Sequence, residues 1–273
     1  MNDRCVKILD ILASDKKIKV KLLAEMLDIS FVTLRKDLDS LEKRGIVIRT
    51  HGYAGLNDSN YSGRRMAISH SIKKRIAKAA AEIVDESETI LLESGSCCAL
   101  FAEELALAQK NITIVTNSIF IANYVCKIQN VKLIILGGYF QPESQVLVGT
   151  LTANSCETFF INKFFLGADG FISGQGFTGR DHFRVETAQK LAERPKKIYV
   201  LTEAAKFKRR GAYNLITLDK VTGVFTDDGI PKEAEADLLK NKIQVYKVPS
   251  VEETIKWRHF PGQPPIMYKE KDQ

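Results

Sequence analysis

From residue 66 onward the chain repeats one alternation that few folds can satisfy. Short apolar runs rich in β-branched residues ("TILLE", "ITIVT", "VKLIIL", "KFFLGA", "KIYVLT", "VTGVFT") are separated in several places by stretches patterned as helix, such as "CALFAEELALA" and "EAEADLLKN". Runs of this length and composition read as buried strands. Strands that alternate with helices predict a mostly parallel sheet covered on both faces, because each parallel connection needs a crossover lying on the sheet. "MAISHSIKKRIAKAAAEIVDE" reads as a long helix opening this unit, and neither an internal repeat nor a low-complexity segment interrupts it.

The residues after the strands carry chemistry. "LLE" runs into Ser94-Gly95-Ser96, "IVT" into Asn117-Ser118, "FLG" into Ala168-Asp169-Gly170, "YVLT" into Glu203 and the Lys206 segment, and "VFT" into Asp227-Asp228-Gly229. Ligands of open α/β sheets bind outside the carboxyl ends of strands, so a small-molecule site is expected there. Ser94-Gly95-Ser96, followed by a helix from about Cys97, can offer backbone N–H groups and hydroxyls to an anion, with the helix dipole assisting. Lys206 can supply a countercharge, and Asp169 can bind sugar hydroxyls. Loops after strands are small and polar in most α/β proteins, so the competing reading is ordinary loop chemistry. "SGQGFTG" is glycine-rich but fits neither a dinucleotide fingerprint nor a Walker motif. Cys97 and Cys98 read as packing residues rather than nucleophiles, and His70 and His182 as surface residues rather than bases.

The N-terminal segment has a different pattern. Val6, Ile8, Leu9, Ile11 and Leu12 give a first helix its apolar face, "DKKIKVK" reads as a small strand, and Leu22, Leu23, Met26 and Leu27 line a second helix. Ser30 is placed to cap a third helix, Gly45 to end it in a left-handed conformation. Leu34, Leu38 and Leu41 turn inward, while Thr33, Lys36 and Lys43 fall toward solvent with Arg35 near the boundary. A short helix, a turn and a capped helix make a helix-turn-helix, whose last helix can enter a major groove. "IVIRTHGYAGL" can form a two-stranded wing that brings Arg49, Thr50 and His51 against phosphates. Charge alone favours an ordinary charged face, because residues 30 to 52 hold five Lys/Arg against three Asp/Glu.

The net charge of +7 is compatible with nucleic acid, as it is with many enzymes. Five cysteines without C-x-x-C spacing and four scattered histidines argue against a disulfide framework or a metal site, and for a reducing, cytoplasmic setting. No run of about 18 apolar residues marks a membrane span, and "MNDRCVKILD" lacks a signal-peptide core. No motif calls for a cofactor.

"LLAEMLDISFVTLRKDLDSLEKRGIVIRTHGYA" resembles the N-terminal signature of DeoR-type bacterial transcription regulators, which reads Thr-Ile-Arg-Arg-Asp-Leu and then Arg-Thr-His-Gly-Gly-Ala. Leu34, Lys36 and Tyr53 depart from it, and lysine cannot form arginine's planar fork on a base edge. The resemblance continues to about residue 248. "TNS" at 116–118, "GG" at 137–138, "GADG" at 167–170 and "TD" at 226–227 are similar to the family's sensor domain. Glu93-Ser94-Gly95-Ser96-Cys97 stands where that domain has Asp-Ser/Ala-Gly-Thr-Thr, and Glu203-Ala204-Ala205-Lys206-Phe207 where it has Asp-Ser-Ser-Lys-Phe, so hydroxyls are lost in two loops.

The resemblance implies an α/β chain with an N-terminal winged helix-turn-helix and a C-terminal Rossmann-like, sugar-phosphate-isomerase-like effector domain. The expected division is 1–56 DNA-binding, 57–65 linker, 66–248 effector-sensing and 249–273 an extended arm. DNA contacts are expected from Ser30, Thr33, Arg35, Lys36, Arg49, Thr50 and His51. Effector contacts are expected from Ser94, Gly95, Ser96, Asn117, Ser118, Asp169, Gly170, Glu203, Lys206 and Asp227. The implied function is a regulator, a repressor of a carbohydrate operon, that binds double-stranded operator DNA as a homodimer or homotetramer and answers to a phosphorylated sugar or related metabolite. The rival readings are a sugar-phosphate isomerase with an appended DNA-binding domain and a protein-interaction module built on the winged helix.

Overall fold

A computed structural model describes residues 3–14, 17–57, 65–108, 110–128, 132–250, 255–258 and 266–269. The N-terminal unit runs α1 (Asp3–Ser14), β1 (Lys17–Lys19), α2 (Val20–Met26), α3 (Phe31–Lys43), β2 (Val47–Thr50) and β3 (Tyr53–Leu56). "DKKIKVK" does contribute a strand, and β1 pairs antiparallel with β3, so the wing is a three-stranded sheet in the order β1-β3-β2 rather than a two-stranded ribbon. Cys5, Ile8, Leu9 and Leu12 of α1 pack with Leu23 of α2 and Leu34, Leu38 and Leu41 of α3, all buried. The buried arc of α2 is rotated from the expected one. Val20, Leu23 and Ala24 face inward, whereas Leu22 and Met26 are about half exposed. Asp37 accepts from Arg4 Nε at 2.6 Å, which ties α3 to α1.

The second unit comprises α4 (His70–Glu82), β4 (Thr89–Leu92), α5 (Ser96–Leu107), β5 (Thr113–Thr116), α6 (Ile119–Val125), β6 (Lys132–Ile135), β7 (Tyr139–Gln141), β8 (Val146–Val148) and α7 (Thr150–Ser155). It continues with β9 (Lys163–Leu166), β10 (Gly170–Ile172), β11 (Gly176–Gly179), α8 (His182–Leu191), β12 (Lys197–Leu201), β13 (Tyr213–Thr217), β14 (Gly223–Asp227), α9 (Lys232–Lys240) and β15 (Gln244–Val248). Seven strands form one parallel sheet in the order β15-β14-β12-β9-β4-β5-β6. Six of them are the apolar runs read from sequence. The seventh, β15, has polar residues in its "QVYKV" and gave no such signal. Consecutive side chains of a strand enter opposite cores: Ile90 and Leu92 pack with α4, α5 and α6, while Leu91 packs with α8 and α9.

Two antiparallel pieces were not expected. β7 and β8 form a hairpin, and β10, β11 and β13 form a small sheet over the ends of the strands. "SGQGFTG" supplies β11, where a Cβ on Gly176 would lie 2.2 Å from the Ile216 carbonyl oxygen. Gly176 therefore serves close strand pairing, while a Cβ on Gly179 would meet the Val185 side chain of α8.

Of the expected linker, residues 58–64 lie outside the described residues. In the expected extended arm, Ile255–Arg258 (β16) and Ile266–Lys269 (β17) pair as an antiparallel ribbon. Residues 251–254, 259–265 and 270–273 of that arm lie outside the described residues.

Chain order fixes where a ligand can enter. From β4 the chain winds outward through β5 to β6, then returns to place β9 on the other side of β4 and winds outward again through β12, β14 and β15. The loops after β4 and β9 thus leave the sheet on opposite courses, and open α/β sheets bind ligands at such a reversal.

Candidate DNA-reading face and effector site

Ser30 sits at φ −65° and ψ 147°, and its Oγ accepts from the Thr33 backbone N–H at 3.1 Å. The same Oγ lies 2.8 Å from Thr33 Oγ1. Asp28 takes the left-handed turn before it, with φ 51°. Arg35 and Lys36 are exposed, with Thr33 half-buried beneath them. Phe31 and Val32 are exposed as well, an apolar front to α3 that the sequence reading passed over. Val32 lies off the Leu34-Leu38-Leu41 stripe, which was the available signal; Phe31 continues the stripe by spacing and is exposed nonetheless. Apolar side chains there suit a thymine methyl. Between α3 and the wing runs a groove of about 550 Å³ lined by Lys21, Phe31, Arg35 and the 49–53 segment.

At the wing tip His51 and Gly52 have φ 48° and 80°, a two-residue turn with both central residues left-handed, as tight hairpins prefer. Thr50 and His51 are exposed on it. Arg49 differs from expectation. Its Nη2 lies 2.5 Å from both Glu42 Oε2 and Asp39 Oδ1, and its backbone N–H donates to Glu42 Oε1 at 3.1 Å. Two carboxylates of α3 thus hold the guanidinium, which fastens the wing to the reading helix.

At the reversal of the sheet Gly95 and Gly167 bring their loops together. A Cβ on Gly95 would lie 3.2 Å from Gly167 Cα, so any larger side chain would have to push the two loops apart. Gly95 is the N-cap of α5 and provides no side-chain cap, so the first turn from Ser96 presents backbone N–H groups. Around this turn stand three ion pairs. Arg184 Nη2 donates to Glu93 Oε1 at 2.8 Å, Arg65 Nη2 lies 3.2 Å from Asp169 Oδ1, and Lys73 Nζ lies 3.2 Å from Glu203 Oε1. Lys206 is a fourth cation whose charge reaches Asp169, Glu203 and Cys97.

Burial alone would raise all three acids, yet the neighbouring cations outweigh it. Arg184, Ser94 and Arg65 hold the Glu93 carboxyl below its usual range, Arg65, Arg184 and Lys206 hold Asp169 there, and Lys73 and Lys206 hold Glu203. Lys206 is pushed down, by burial first and then by Arg65. Asp181 adds its charge at Arg184, so four cations and four carboxylates converge here, and an anion can bind by taking a cation from a carboxylate. The same region holds buried polar atoms without a protein partner: Asn117 Oδ1, Arg184 Nε, Thr202 Oγ1 and Thr226 Oγ1. Such atoms are costly unless something else meets them.

The structure brings Ser94, Gly95, Ser96, Asp169, Glu203 and Lys206 to one place, but several expected contacts have other tasks. Ser94 Oγ donates to Glu93 Oε1 at 2.6 Å. Ser118 Oγ caps α6 by accepting from Ile121 N at 3.1 Å. Asn117 Nδ2 donates to the Leu147 carbonyl. Asp227 accepts from the Ala204 and Gly229 backbone N–H groups, which clamps two loops together. Gly170 admits the backbone of Arg209, whose carbonyl oxygen would sit 2.4 Å from a Cβ there. Sequence reasoning missed Arg65, Lys73, Glu93 and Arg184 as site residues. The three cations come from a connecting segment and two helices, so no strand-end rule points to them.

Cys97 and Cys98 are buried, with burial pushing the Cys97 thiol up to about 12 and Cys98 well above its usual value. A thiol so disfavoured as thiolate is no nucleophile. His182 is exposed, whereas His70 is fully buried, a correction to its reading as a surface residue. Its Nδ1 lies 3.1 Å from the Met66 carbonyl, and Nε2 has no partner. Among the described residues no group of three or more His, Cys, Asp or Glu is arranged to hold a metal ion.

The two units share a contact of their own. Arg44, the C-cap of α3, donates from Nη1 to Glu103 Oε1 of α5 at 2.8 Å and lies 4.9 Å from the Tyr124 ring centre. Tyr124 OH donates to the other Glu103 oxygen at 3.2 Å.

Comparison with known proteins gives concordant matches. Residues 4–60 match the family model of the DeoR-like helix-turn-helix domain, and residues 68–228 that of the DeoR C terminal sensor domain. The HTH-type transcriptional regulator GolR of Listeria innocua is 30% identical over 234 residues, covering 84% of this chain and 92% of that protein. The glycerol-3-phosphate regulon repressor of Escherichia coli K12 is 25% identical over 241 residues, covering 87% and 95%. Among solved structures, ribose 5-phosphate isomerase A of Methanocaldococcus jannaschii aligns with a TM-score of 0.39 at 17% identity, over 51% of this chain and 55% of that one.

Proposed function

The chain belongs to the DeoR family of DNA-binding transcription regulators, and from that premise we propose that its sensor domain binds a phosphorylated sugar or related metabolite at the first turn of α5. The observation that carries this reading is the convergence of buried Lys73 with half-buried Arg65, Arg184 and Lys206 on an uncapped helix N-terminus at the sheet's reversal. Both features favour an anion. A relative named as a glycerol-3-phosphate regulon repressor supports the same chemistry, and supports control of a carbohydrate operon by repression.

The regulator works by linkage. An effector that binds one conformation better than another shifts operator affinity by the ratio of its two affinities. Binding without turnover is the reading favoured over isomerisation, because an isomerase needs a carboxylate base free to take the substrate proton, whereas each acid here is engaged by a cation. Glu93, Asp169 and Glu203 are instead ion-paired and held below the usual carboxylate range. We further assign the protein to the cytoplasm, and to a homodimer or homotetramer, since a single reading helix covers only half of a palindromic operator.

A thermal-shift screen over phosphorylated sugars and sugar alcohols tests the assignment. An effector at about 100 times its dissociation constant adds roughly 2.7 kcal/mol of stability. The same compound must also alter operator affinity. A panel that stabilises nothing, or only unphosphorylated sugars, overturns the reading.

A further inference from the structure

We propose that Arg65, delivered by the segment that joins the two domains, is a ligand of the effector's anionic group, and that it leaves Asp169 to bind it. The inference rests on the effector reading above and deepens it by naming the residue that reports occupancy. Arg65 Nη2 lies 3.2 Å from Asp169 Oδ1, at the same site as the first turn of α5. Asp169 keeps a second partner when Arg65 departs, since its Oδ2 accepts from the Arg180 backbone N–H at 3.2 Å. A guanidinium fork can pair with two oxygens of a phosphate as it does with those of a carboxylate, with little change in its own geometry.

The backbone just after Arg65 is held in place, which makes the Arg65 side chain informative. Lys73 Nζ donates to the carbonyls of Arg65 and Ile68 while pairing with Glu203. Met66 and Ala67 are fully buried. On the other side, Asn57 is held to the reading unit, its backbone N–H donating to the Ile46 carbonyl at 2.9 Å and its Nδ2 to the Gly45 carbonyl at 3.2 Å. Only the span between Asn57 and Arg65 separates the wing from the effector site. An anion that draws Arg65 from Asp169 changes the contacts of the first described residue after that span, and it couples the two sites to the extent that this alters operator affinity. By reciprocity, operator binding must then alter effector affinity by the same factor.

The test uses inorganic phosphate as probe, titrated into the full chain at constant ionic strength and read by 31P NMR line width. Ser96→Asp, which puts a like charge at the first turn of α5, serves as the site control. Phosphate binding is expected to weaken at least tenfold in Arg65→Ala and less in Arg65→Lys. Asp169→Asn is expected to strengthen it several-fold, and that gain should vanish in the Arg65→Ala, Asp169→Asn double variant. Phosphate binding lost in Ser96→Asp but unchanged in Arg65→Ala overturns the role of Arg65 and leaves the site standing. Binding unaffected by Ser96→Asp, or absent from the native chain, overturns the site itself. A lower melting temperature in Arg65→Ala with native phosphate affinity would make Arg65 a structural tie and likewise overturn the proposal.

Discussion

Arg44 at the end of the reading helix and Glu103 on the first sensor helix after β4 form an ion pair across the domain boundary, 2.8 Å between Nη1 and Oε1. Glu103 is 5% exposed and Arg44 28%. Ser96, at the other end of the same helix segment, stands seven residues earlier, a rise of about 10 Å. One rigid element therefore touches both the proposed effector site and the reading helix.

Arg44→Met should destabilise the protein by about 1.5–3 kcal/mol, because the buried Glu103 loses a charged hydrogen-bond partner while keeping its others. Pairing it with Glu103→Gln should recover part of that loss. Chemical denaturation of the two single variants and the double variant measures the coupling. Strictly additive losses would show that the contact carries no interaction energy.

Arg35→Ala and Lys36→Ala should each weaken specific operator binding by about 1–3 kcal/mol without loss of melting temperature, since both side chains are exposed on α3. Fluorescence anisotropy with operator and scrambled duplexes reads the effect. Native affinity in Arg35→Ala would remove that residue from the DNA face.

Arg49→Ala should behave differently. Its guanidinium is shared between Asp39 and Glu42, all three side chains partly exposed, so screening limits the loss of stability to about 1 kcal/mol. The salt dependence of DNA binding should keep its native slope, whereas losing a phosphate contact would flatten it by about one ion. Salt titrations of the variant distinguish the two.

His70 makes stability depend on mild acid. Burial first, then the nearby Lys73 and Lys74 charges, lower its pKa to about 4, against the raising effects of the Met66 carbonyl and Glu103. The folded protein thus favours the neutral ring. Its contribution is complete above the unfolded value near 6.5 and is lost as pH falls toward 4. The shift corresponds to about 3 kcal/mol. In His70→Asn, whose amide can still donate to the Met66 carbonyl, the stability curve between those pH values should flatten. An unchanged slope would assign the acid sensitivity to the carboxylates.

Lys206→Ala should cost about 1.5–3 kcal/mol of effector affinity and leave effector-free operator binding nearly native. Isothermal titration and anisotropy on the same preparation test both halves. An unchanged effector response removes Lys206 from the site.

The sequence made the parallel sheet legible because Ile, Val and Leu runs such as "ITIVT" are favoured where both faces are covered. It made α3 legible because Ser30 and Gly45 mark its ends by capping chemistry. The strand β15 escaped because Gln244, Tyr246 and Lys247 sit at the sheet's edge, where burial pressure is weak. The small sheet of β10, β11 and β13 escaped because its glycines mimic a flexible loop. In the site, strand-end residues were found and their countercharges were not. Arg184 and Lys73 lie on helices whose polar faces look ordinary in sequence, and Arg65 lies in a segment that reads as a tether. His70 was misplaced because a lone histidine between Ser69 and Ser71 gives no hint of burial.

The apolar cluster that begins at Cys5 and Leu9 runs without a break through Leu56 and Met66 to Phe225 and Val248. The reading unit is thus seated in the sensor's own interior rather than carried on a string. A chimera that exchanges the first 56 residues with those of a relative therefore swaps half of a shared core. Such grafts will be sorted by how well side chains mesh at that seam, and by whether position 44 still meets its carboxylate, more than by the length of the tether. Modularity in this architecture is a property of matched pairs of halves.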